Sequence, residues 1–142
     1  MHAPVSILRV TDTRTHLHTD VKHIDAKNFT DGSTPSDEAL TKILELMPKN
    51  SPPIVNCEEG IGRSAVLWLA KTVENHIDHE NGSGRYVSVG QVCEKAVELA
   101  ELVRGVRGDA LLPDLTQNAA VMRYVLKLQK GQKVVPAAAA GA

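Results

Sequence analysis

The chain has 142 residues, of which 42% are hydrophobic and 23% charged, a composition typical of one globular domain. Its net charge of −1 and aromatic content of 3% argue against nucleic-acid and anionic-membrane partners, because little attracts phosphates and few rings can stack on bases. Cys57 and Cys93 form no disulfide framework, and no secretory segment or membrane-spanning run is visible. We therefore expect a protein of a reducing, cytoplasmic compartment.

The first expected element is a β-hairpin. Residues 5–10 and 17–24 mix apolar and polar positions as strands do, and residues 12–14 would connect them. His16 and His18 would share one strand face, but no cysteine or glutamate stands at ligand spacing. Solvated strand residues are therefore favoured over a metal site.

A loop and a capped helix follow the hairpin. Residues 28–35 have the composition of a loop. Thr34 is the expected N-cap, with Pro35 at the first helical position and Asp37 closing the capping box. We expect the helix to end near Met47, before Pro48. Its spacing predicts four buried side chains: Leu40, Ile43, Leu44 and Met47.

The central stretch of the sequence combines a strand, a glycine loop and a helix. Ile54 and Val55 suit a short buried strand, residues 58–62 form an acidic, glycine-containing loop, and a helix-compatible run begins at Arg63. The N–H groups of such a loop and of the first helical turn lack acceptors and point at one spot. This arrangement favours anion binding.

The side chains of this loop indicate what happens to the anion. A thiol at Cys57, at the positive end of a helix, has its pKa lowered, so that thiolate is available near neutral pH. The guanidinium of Arg63 matches two phosphate oxygens. Ser64 can donate a hydrogen bond to the sulfur. The stretch is therefore predicted to be a phosphate cradle with a nucleophile at its base.

The C-terminal half is predicted to contain two further helices. Residues 76–84 are expected to be a polar connector, in which a metal site at His76, Asp78, His79 and Glu80 is less favoured than a solvated helix end. A capping box at residues 88–91 starts a helix that runs to about Arg104. Its predicted buried stripe is Val92, Ala96, Leu99, Ala100 and Val103, with Cys93 beside it as a packing residue.

Residues 104–109 are expected to break that helix, and residues 111–117 lead into the last one. The apolar positions of the last helix are Val121, Val125, Leu126 and Leu128. We expect residues 1–130 to form the domain and residues 131–142 a flexible tail.

Two motifs resemble the cysteine-based protein tyrosine phosphatases. Residues 57–64 are similar to the phosphate loop HCxxGxxR[ST] of that family, with Asn56 at the position of its histidine. Residues 29–35 (FTDGSTP) resemble its acid loop, WPDxGxP, and place Asp31 at the acid. The resemblance covers about residues 21–130, equivalent to the C-terminal half of a tyrosine-specific domain. It therefore implies a compact or divergent member or a fragment, with a weak leaning towards an exported bacterial effector.

The resemblance implies an α/β fold with a central mixed sheet flanked by helices, and hydrolysis of phosphotyrosine in a protein or peptide without a cofactor. It makes Cys57 the nucleophile, Asp31 the general acid and Ser64 an assisting hydroxyl. The implied phosphate-binding residues are Glu58, Glu59, Gly60, Ile61, Gly62 and Arg63. Gln117 aligns with one glutamine of the family's water-positioning loop, while Pro113 falls on the other.

Two alternatives remain open at this stage. In one, the cradle binds phosphotyrosine without hydrolysing it, which Asn56 and Pro113 favour. In the other, residues 60–65 (GIGRSA) are a dinucleotide-binding loop. The acidic residue expected about twenty positions later falls in the polar connector and does not follow a strand. That interpretation also leaves Cys57 and Asp31 without a role.

Overall fold

The computed structural model of the chain describes residues 5–24, 36–49, 63–107 and 115–136. These ranges hold a mixed α/β fold of two strands and four helices: β1 Val5–Thr11, β2 His18–Ile24, α1 Asp37–Leu46, α2 Arg63–Gly82, α3 Val89–Arg107 and α4 Leu115–Lys130. Within them, no helix has the length and apolar character that a membrane crossing requires.

The predicted hairpin is confirmed. β1 and β2 pair antiparallel, with Val5 opposite Ile24 at one end and Thr11 opposite His18 at the other. The Asp12 carboxylate caps the turn by accepting hydrogen bonds from the N–H groups of Arg14 (2.8 Å) and Thr15 (3.3 Å). His16 lies in this turn with a φ of 61°, so it does not share a strand face with His18.

The hairpin lies at the periphery of the described structure. Apolar side chains on both of its faces, including Ile7 and Leu8, are exposed. Lys22 joins the hairpin to the helices by donating a hydrogen bond of 3.1 Å to the Leu46 carbonyl. The strand expected at Ile54 and Val55 lies outside the described residues, so the central sheet stays a prediction.

The core is built around α2, which packs against α1, α3 and α4. Its inward stripe follows the helical repeat: Val66, Ala70, Val73 and Ile77, all buried. On α1, Leu40, Ile43 and Leu44 are buried as predicted, and Met47 packs against the core while partly exposed. Each fully buried aliphatic side chain contributes about 1.5–3 kcal/mol to folding. The core therefore rests mainly on contacts between helices.

The start of α1 differs from the prediction. Ser36 is the N-cap: its Oγ accepts a hydrogen bond of 3.1 Å from the Ala39 N–H, and its backbone is extended. The predicted cap, Thr34, is two residues earlier and lies outside the described residues, as does Pro35. Serine caps a helix at least as well as threonine. The later start makes Asp37 the first residue of the helix, where it pairs with Arg123 of α4 at 3.1 Å.

The predicted connector at residues 76–84 is wrong for its first seven residues, because α2 continues to Gly82. Ile77 prolongs the buried stripe of α2, and this burial outweighs the polar local composition. Glu80 also forms an ion pair with Arg85, just beyond the helix. The turn that ends the segment uses Gly84 at a φ of 77°, a conformation that glycine adopts without strain.

The capping box of α3 is confirmed. The Ser88 Oγ accepts from the Gln91 N–H at 3.2 Å, and the Gln91 Oε1 accepts from the Ser88 N–H at 2.9 Å. Four residues of the predicted stripe are buried, and Val103 packs against the core while partly exposed. The helix runs to Arg107 rather than breaking at Arg104, because one glycine inside a helix costs only about 1 kcal/mol.

Candidate functional site

Helices α2 and α4 run parallel with a constant register. The phenol of Tyr124 hydrogen-bonds to Glu74, 50 residues earlier, and Gln132 bonds to Asn81, 51 residues earlier, at 2.8 Å. An offset of 50 residues from Arg63, the first residue of α2, gives position 113. The start of α2 is therefore level with a point only two residues before α4 begins at Leu115. At a rise of about 1.5 Å per residue, the two helices start within one turn of each other, at the same end of the pair.

The C-terminus of α3 reaches this end as well. Val87, just before α3, is held by Gln129 and Gln132 at the far end of α4. Midway along, burial and then the nearby ammonium of Lys95 on α3 lower the pKa of the His76 imidazole on α2. α3 therefore runs antiparallel to α2. Because the helices have 19 and 20 residues, α3 ends near the level where α2 starts.

The first turn of α2 lies inside the protein. Ser64 is only 6% exposed and has an interaction partner. Ala65, Val66 and Leu67, which follow it, are buried too. A buried helix start needs partners for its N–H groups, and anions suit it because the helix dipole is positive there. The backbone of Arg63 opens the helix, so its position in the chain is that of a residue closing the predicted phosphate loop.

The other predicted site residues have different outcomes. Gln117 lies by its backbone in the first turn of α4, at the same end as the start of α2. The remainder lie outside the described residues: Asp31, Cys57, Glu58, Glu59, Gly60, Ile61 and Gly62. The structure therefore brings Arg63, Ser64 and Gln117 to one end of the helix pair and leaves the rest of the predicted site as a prediction.

A buried polar network, missed by the sequence analysis, sets the register of α2 and α4. Lys71 is 1% exposed, and its Nζ donates to the Glu74 carboxylate at 2.5 Å. Tyr124 of α4 donates to the other oxygen of the same carboxylate. Burial, with the neighbouring Glu74 carboxylate, raises the pKa of Tyr124 well above its usual range. The phenol therefore remains a hydrogen-bond donor at any physiological pH.

A metal site is not supported in the part of the chain that the structure describes, where no three His, Cys, Asp or Glu residues are grouped closely enough to hold an ion. At the end of the polar segment 76–80, Arg85 hydrogen-bonds to Glu80 and lowers the pKa of that carboxyl. Burial and the nearby Glu74 raise the pKa of Asp78. The pKa values of these two carboxyl groups are therefore shifted by neighbouring protein groups and by burial.

Comparison with known families decides the classification. The model of the family described as protein-tyrosine phosphatase matches residues 2–99, which is 98 of the 142 residues. The chain belongs to the protein-tyrosine phosphatase family. No curated protein and no solved structure matches it.

The extent of the match refines the resemblance found in the motifs. The family match includes the whole hairpin, so membership begins earlier than the residue 21 inferred from the motifs. It also contains Asp31, Cys57 and the loop that follows. It ends within α3, so Gln117 and the rest of α4 lie beyond the matched residues. Family membership therefore bears on the phosphate loop and the acid loop, while a role for Gln117 depends on its position alone.

Proposed function

We propose that this phosphatase-family chain hydrolyses phosphotyrosine in proteins or peptides through a covalent cysteinyl-phosphate at Cys57. The observation that carries the proposal is the sequence CEEGIGRS, residues 57–64, which enters the buried first turn of α2 within the family match. A helix start of this kind, preceded by a glycine loop, is suited to a phosphate group. The proposal includes a central sheet whose strand at Ile54 and Val55 delivers Cys57 to the loop.

The reaction proceeds in two displacements. The Cys57 thiolate attacks phosphorus, so that an S–P bond forms while the bond from phosphorus to the phenolic oxygen breaks. Asp31 gives its proton to the departing phenolate, which leaves as tyrosine. Asp31 then takes a proton from water as that water attacks phosphorus and breaks the S–P bond. Inorganic phosphate leaves, and the thiolate and protonated Asp31 are restored. Ser64 donates a hydrogen bond to the sulfur as it departs.

The phosphate loop stabilises the charge that develops on the transferred group. Backbone N–H groups of residues 58–62 and the guanidinium of Arg63 hold the three equatorial oxygens. Glu58 and Glu59 are compatible with this role, because a loop can bind an anion through its backbone N–H groups while its side chains point away. Donors fixed in place before the reaction supply most of the rate enhancement in such sites.

The placement of α1 supports Asp31 as the acid. Asp31 is six residues before Asp37, and Asp37 is held to Arg123 of α4 by an ion pair of 3.1 Å. Six extended residues span up to about 20 Å. Arg123 is eight residues into α4, about 12 Å along the axis from its start. The acid is thus within reach of the end where α2 begins. Gln117, in the first turn of α4, is proposed to orient the attacking water.

The alternatives receive less support. Asn56 and Pro113 still favour a chain that binds phosphotyrosine but hydrolyses it slowly or not at all. The experiment below distinguishes this binding-only chain from an active phosphatase. The family match gives the dinucleotide hypothesis no support. The proposed catalytic domain comprises residues 1–130, with a tail at residues 131–142 of which Gln132 is still bonded to the domain. We place it in a cytoplasmic setting or, for an effector, inside a host cell.

The test is hydrolysis of para-nitrophenyl phosphate and of a phosphotyrosine peptide, with and without vanadate. We expect vanadate-sensitive turnover that Cys57→Ser abolishes and Asp31→Ala weakens by about 10²-fold or more. Full activity in Cys57→Ser would reject the mechanism. A phosphopeptide that binds tightly yet stays intact after long incubation would assign the chain to the binding-only class.

A further inference from the structure

The outer face of α3 carries an apolar groove without a partner among the described residues. We call it the α3 groove; it is a shallow, open depression of about 760 Å³, and its lining residues are Cys93, Glu94, Val97, Glu98, Glu101 and Leu102. Val97 is 57% exposed and Leu102 is 64% exposed. These two side chains lie on the side of α3 that faces away from α2 and α4. An exposed apolar surface of this kind marks a candidate interaction site.

A row of glutamates runs along the middle of the α3 groove, between Val97 and Leu102. Glu94, Glu98 and Glu101 follow one another at spacings of four and three, so they lie in one row on the helix. Lys95 pairs with Glu98 at 3.3 Å. Within the described ranges, neither Glu94 nor Glu101 has an ion-pair partner. Like charges at these spacings destabilise a helix, and a cationic occupant would relieve that repulsion.

The α3 groove follows α3 towards the end of the molecule where the phosphate is proposed to bind. α3 runs antiparallel to α2 and ends at Arg107, near the level of Arg63. Glu101 is six residues before that end and Glu94 is thirteen before it, or about 9 Å and 20 Å along the axis. An extended peptide advances about 3.4 Å per residue. Crossing from α2 to the outer face of α3 adds about 14 Å sideways, one interaxial distance and one helix radius. A peptide anchored at the phosphate loop would therefore reach these carboxylates about five to seven residues from its phosphotyrosine.

We propose that the α3 groove binds the substrate itself, and that the substrate is a phosphotyrosine segment with lysine or arginine five to seven positions from the phosphotyrosine and an apolar residue among them. The basic side chains pair with Glu94 and Glu101, and the apolar one packs against Val97 or Leu102, which flank these carboxylates. This inference rests on the proposed function for its phosphate anchor. It names the substrate class that the proposed function leaves open.

The kinetic test compares two phosphotyrosine peptides of equal length that differ only in carrying lysine or glutamine at those positions. We expect kcat/KM to be about tenfold higher for the lysine peptide at low salt, from a few exposed charge pairs acting together. The preference should shrink towards unity in about 0.5 M NaCl, where the Debye length falls to a few ångströms. Turnover of para-nitrophenyl phosphate, which cannot reach the groove, should not depend on these charges.

Two variants with the same change in net charge distinguish local binding in the α3 groove from the long-range electrostatic field of the whole protein. Glu94→Lys combined with Glu101→Lys should abolish the preference for the lysine peptide. Glu38→Lys combined with Glu45→Lys, both on α1, changes the net charge equally and should retain it. Leu102→Ser should weaken binding of both peptides. An equal loss of preference in the two charge-reversal variants would overturn the proposal, because a long-range field would then explain it.

A binding measurement keeps this inference separate from the proposed function. Fluorescence anisotropy of both peptides, phosphorylated and unphosphorylated, is measured on the wild-type chain. If the chain hydrolyses no phosphate ester, the proposed function fails, while tighter binding of the lysine peptide that is lost in Glu94→Lys/Glu101→Lys still supports the groove. Equal affinity for the lysine and glutamine peptides would overturn the proposal that the α3 groove binds the basic residues of the peptide. Binding of the unphosphorylated lysine peptide without any effect on kcat/KM assigns the groove to a basic partner that is not the substrate, and overturns the substrate proposal.

Discussion

Tyr124 of α4 donates its phenolic proton to the Glu74 carboxylate of α2, which also accepts a hydrogen bond from the buried ammonium of Lys71. One carboxylate therefore serves a donor on its own helix and a donor on the neighbouring helix. Because buried polar groups are costly when unpaired, sliding α4 along α2 would break the Tyr124–Glu74 bond and leave both polar groups without that partner. The network thus holds the two helix starts level, and with them Ser64 and Gln117.

Removing the phenol should cost stability. Tyr124→Phe leaves Glu74 with Lys71 alone, and we expect a loss of about 2 kcal/mol in the free energy of unfolding, because the lost bond is to a charged group. Urea denaturation followed by circular dichroism measures this. Tyr86→Phe is the matched control: its hydroxyl accepts from Gln129, which also bonds to the Val87 carbonyl, so the loss should be about 1 kcal/mol or less. Equal losses in the two variants would mean that the Tyr124–Glu74 hydrogen bond stabilises the fold no more than an ordinary hydroxyl hydrogen bond does.

The pH dependence of stability should report on Asp78. Burial and repulsion from Glu74 raise the pKa of this carboxyl, against smaller opposing effects of Lys49 and Lys71. A raised folded pKa means that folding is penalised once the carboxyl is ionised. The penalty is absent below the usual aspartate pKa of about 3.9, grows as pH rises through the folded pKa, and is fully present at pH 7.

Asp78→Asn should therefore stabilise the protein at pH 7 and have a vanishing effect near pH 4. We expect a gain below about 1 kcal/mol, because Asp78 is largely exposed and solvent screens its charge. Thermal unfolding at several pH values measures the difference. Asp20→Asn, which loses an exposed pair with Arg9 at 3.3 Å, is the control and should not stabilise. A gain in Asp78→Asn that stayed constant between pH 4 and pH 7 would contradict this account.

Gln132 should be important for stability although it follows the last helix. Its Oε1 accepts from the Val87 N–H at 2.9 Å, and its Nε2 donates to the Val87 carbonyl at 2.7 Å. Gln132→Ala leaves the amide of a buried residue without this partner, at a cost of about 2 kcal/mol. Lys133→Ala, exposed and adjacent, should change stability by less than about 0.5 kcal/mol. Indistinguishable unfolding curves for these two variants would show that the segment after α4 is not docked in solution.

Arg63→Lys tests the geometry of the phosphate loop while retaining its charge. Lysine keeps a positive charge but lacks the planar fork that meets two oxygens. We expect kcat/KM for para-nitrophenyl phosphate to fall by about 10²-fold, with a midpoint of unfolding close to that of the wild type. Arg9→Lys on the exposed hairpin should leave kcat/KM unchanged. Near-normal activity in Arg63→Lys would remove the two-point contact from the mechanism.

Features set by neighbouring residues could be predicted from the sequence. The capping box at Ser88 and Gln91 needs only a hydroxyl and an amide three positions apart, and the structure forms both bonds. The buried stripe of α1 and the hairpin follow from repeats of 3.6 and 2 residues, which the backbone imposes. The phosphate-loop motif likewise lies within eight consecutive residues, and the family match contains it.

Other features depended on residues far apart in the chain. The polar segment from His76 looked like a connector, yet Ile77 is buried and α2 continues through it. Nothing around Lys71 in the sequence indicates that a tyrosine 53 positions later shares its partner Glu74. Likewise, the contact of Gln132 with Val87 crosses 45 residues.

The sequence by itself determined the family, the capping box of α3 and the hairpin, because these depend on groups within a turn or two of one another. Only the tertiary structure decided where α2 ends, which charges are buried, and that α2 and α4 start at the same end. The physical reason is that burial and pairing depend on packing between distant segments. Local sequence preferences, each worth about 1 kcal/mol or less, are outweighed there by the several kcal/mol gained or lost when side chains leave water.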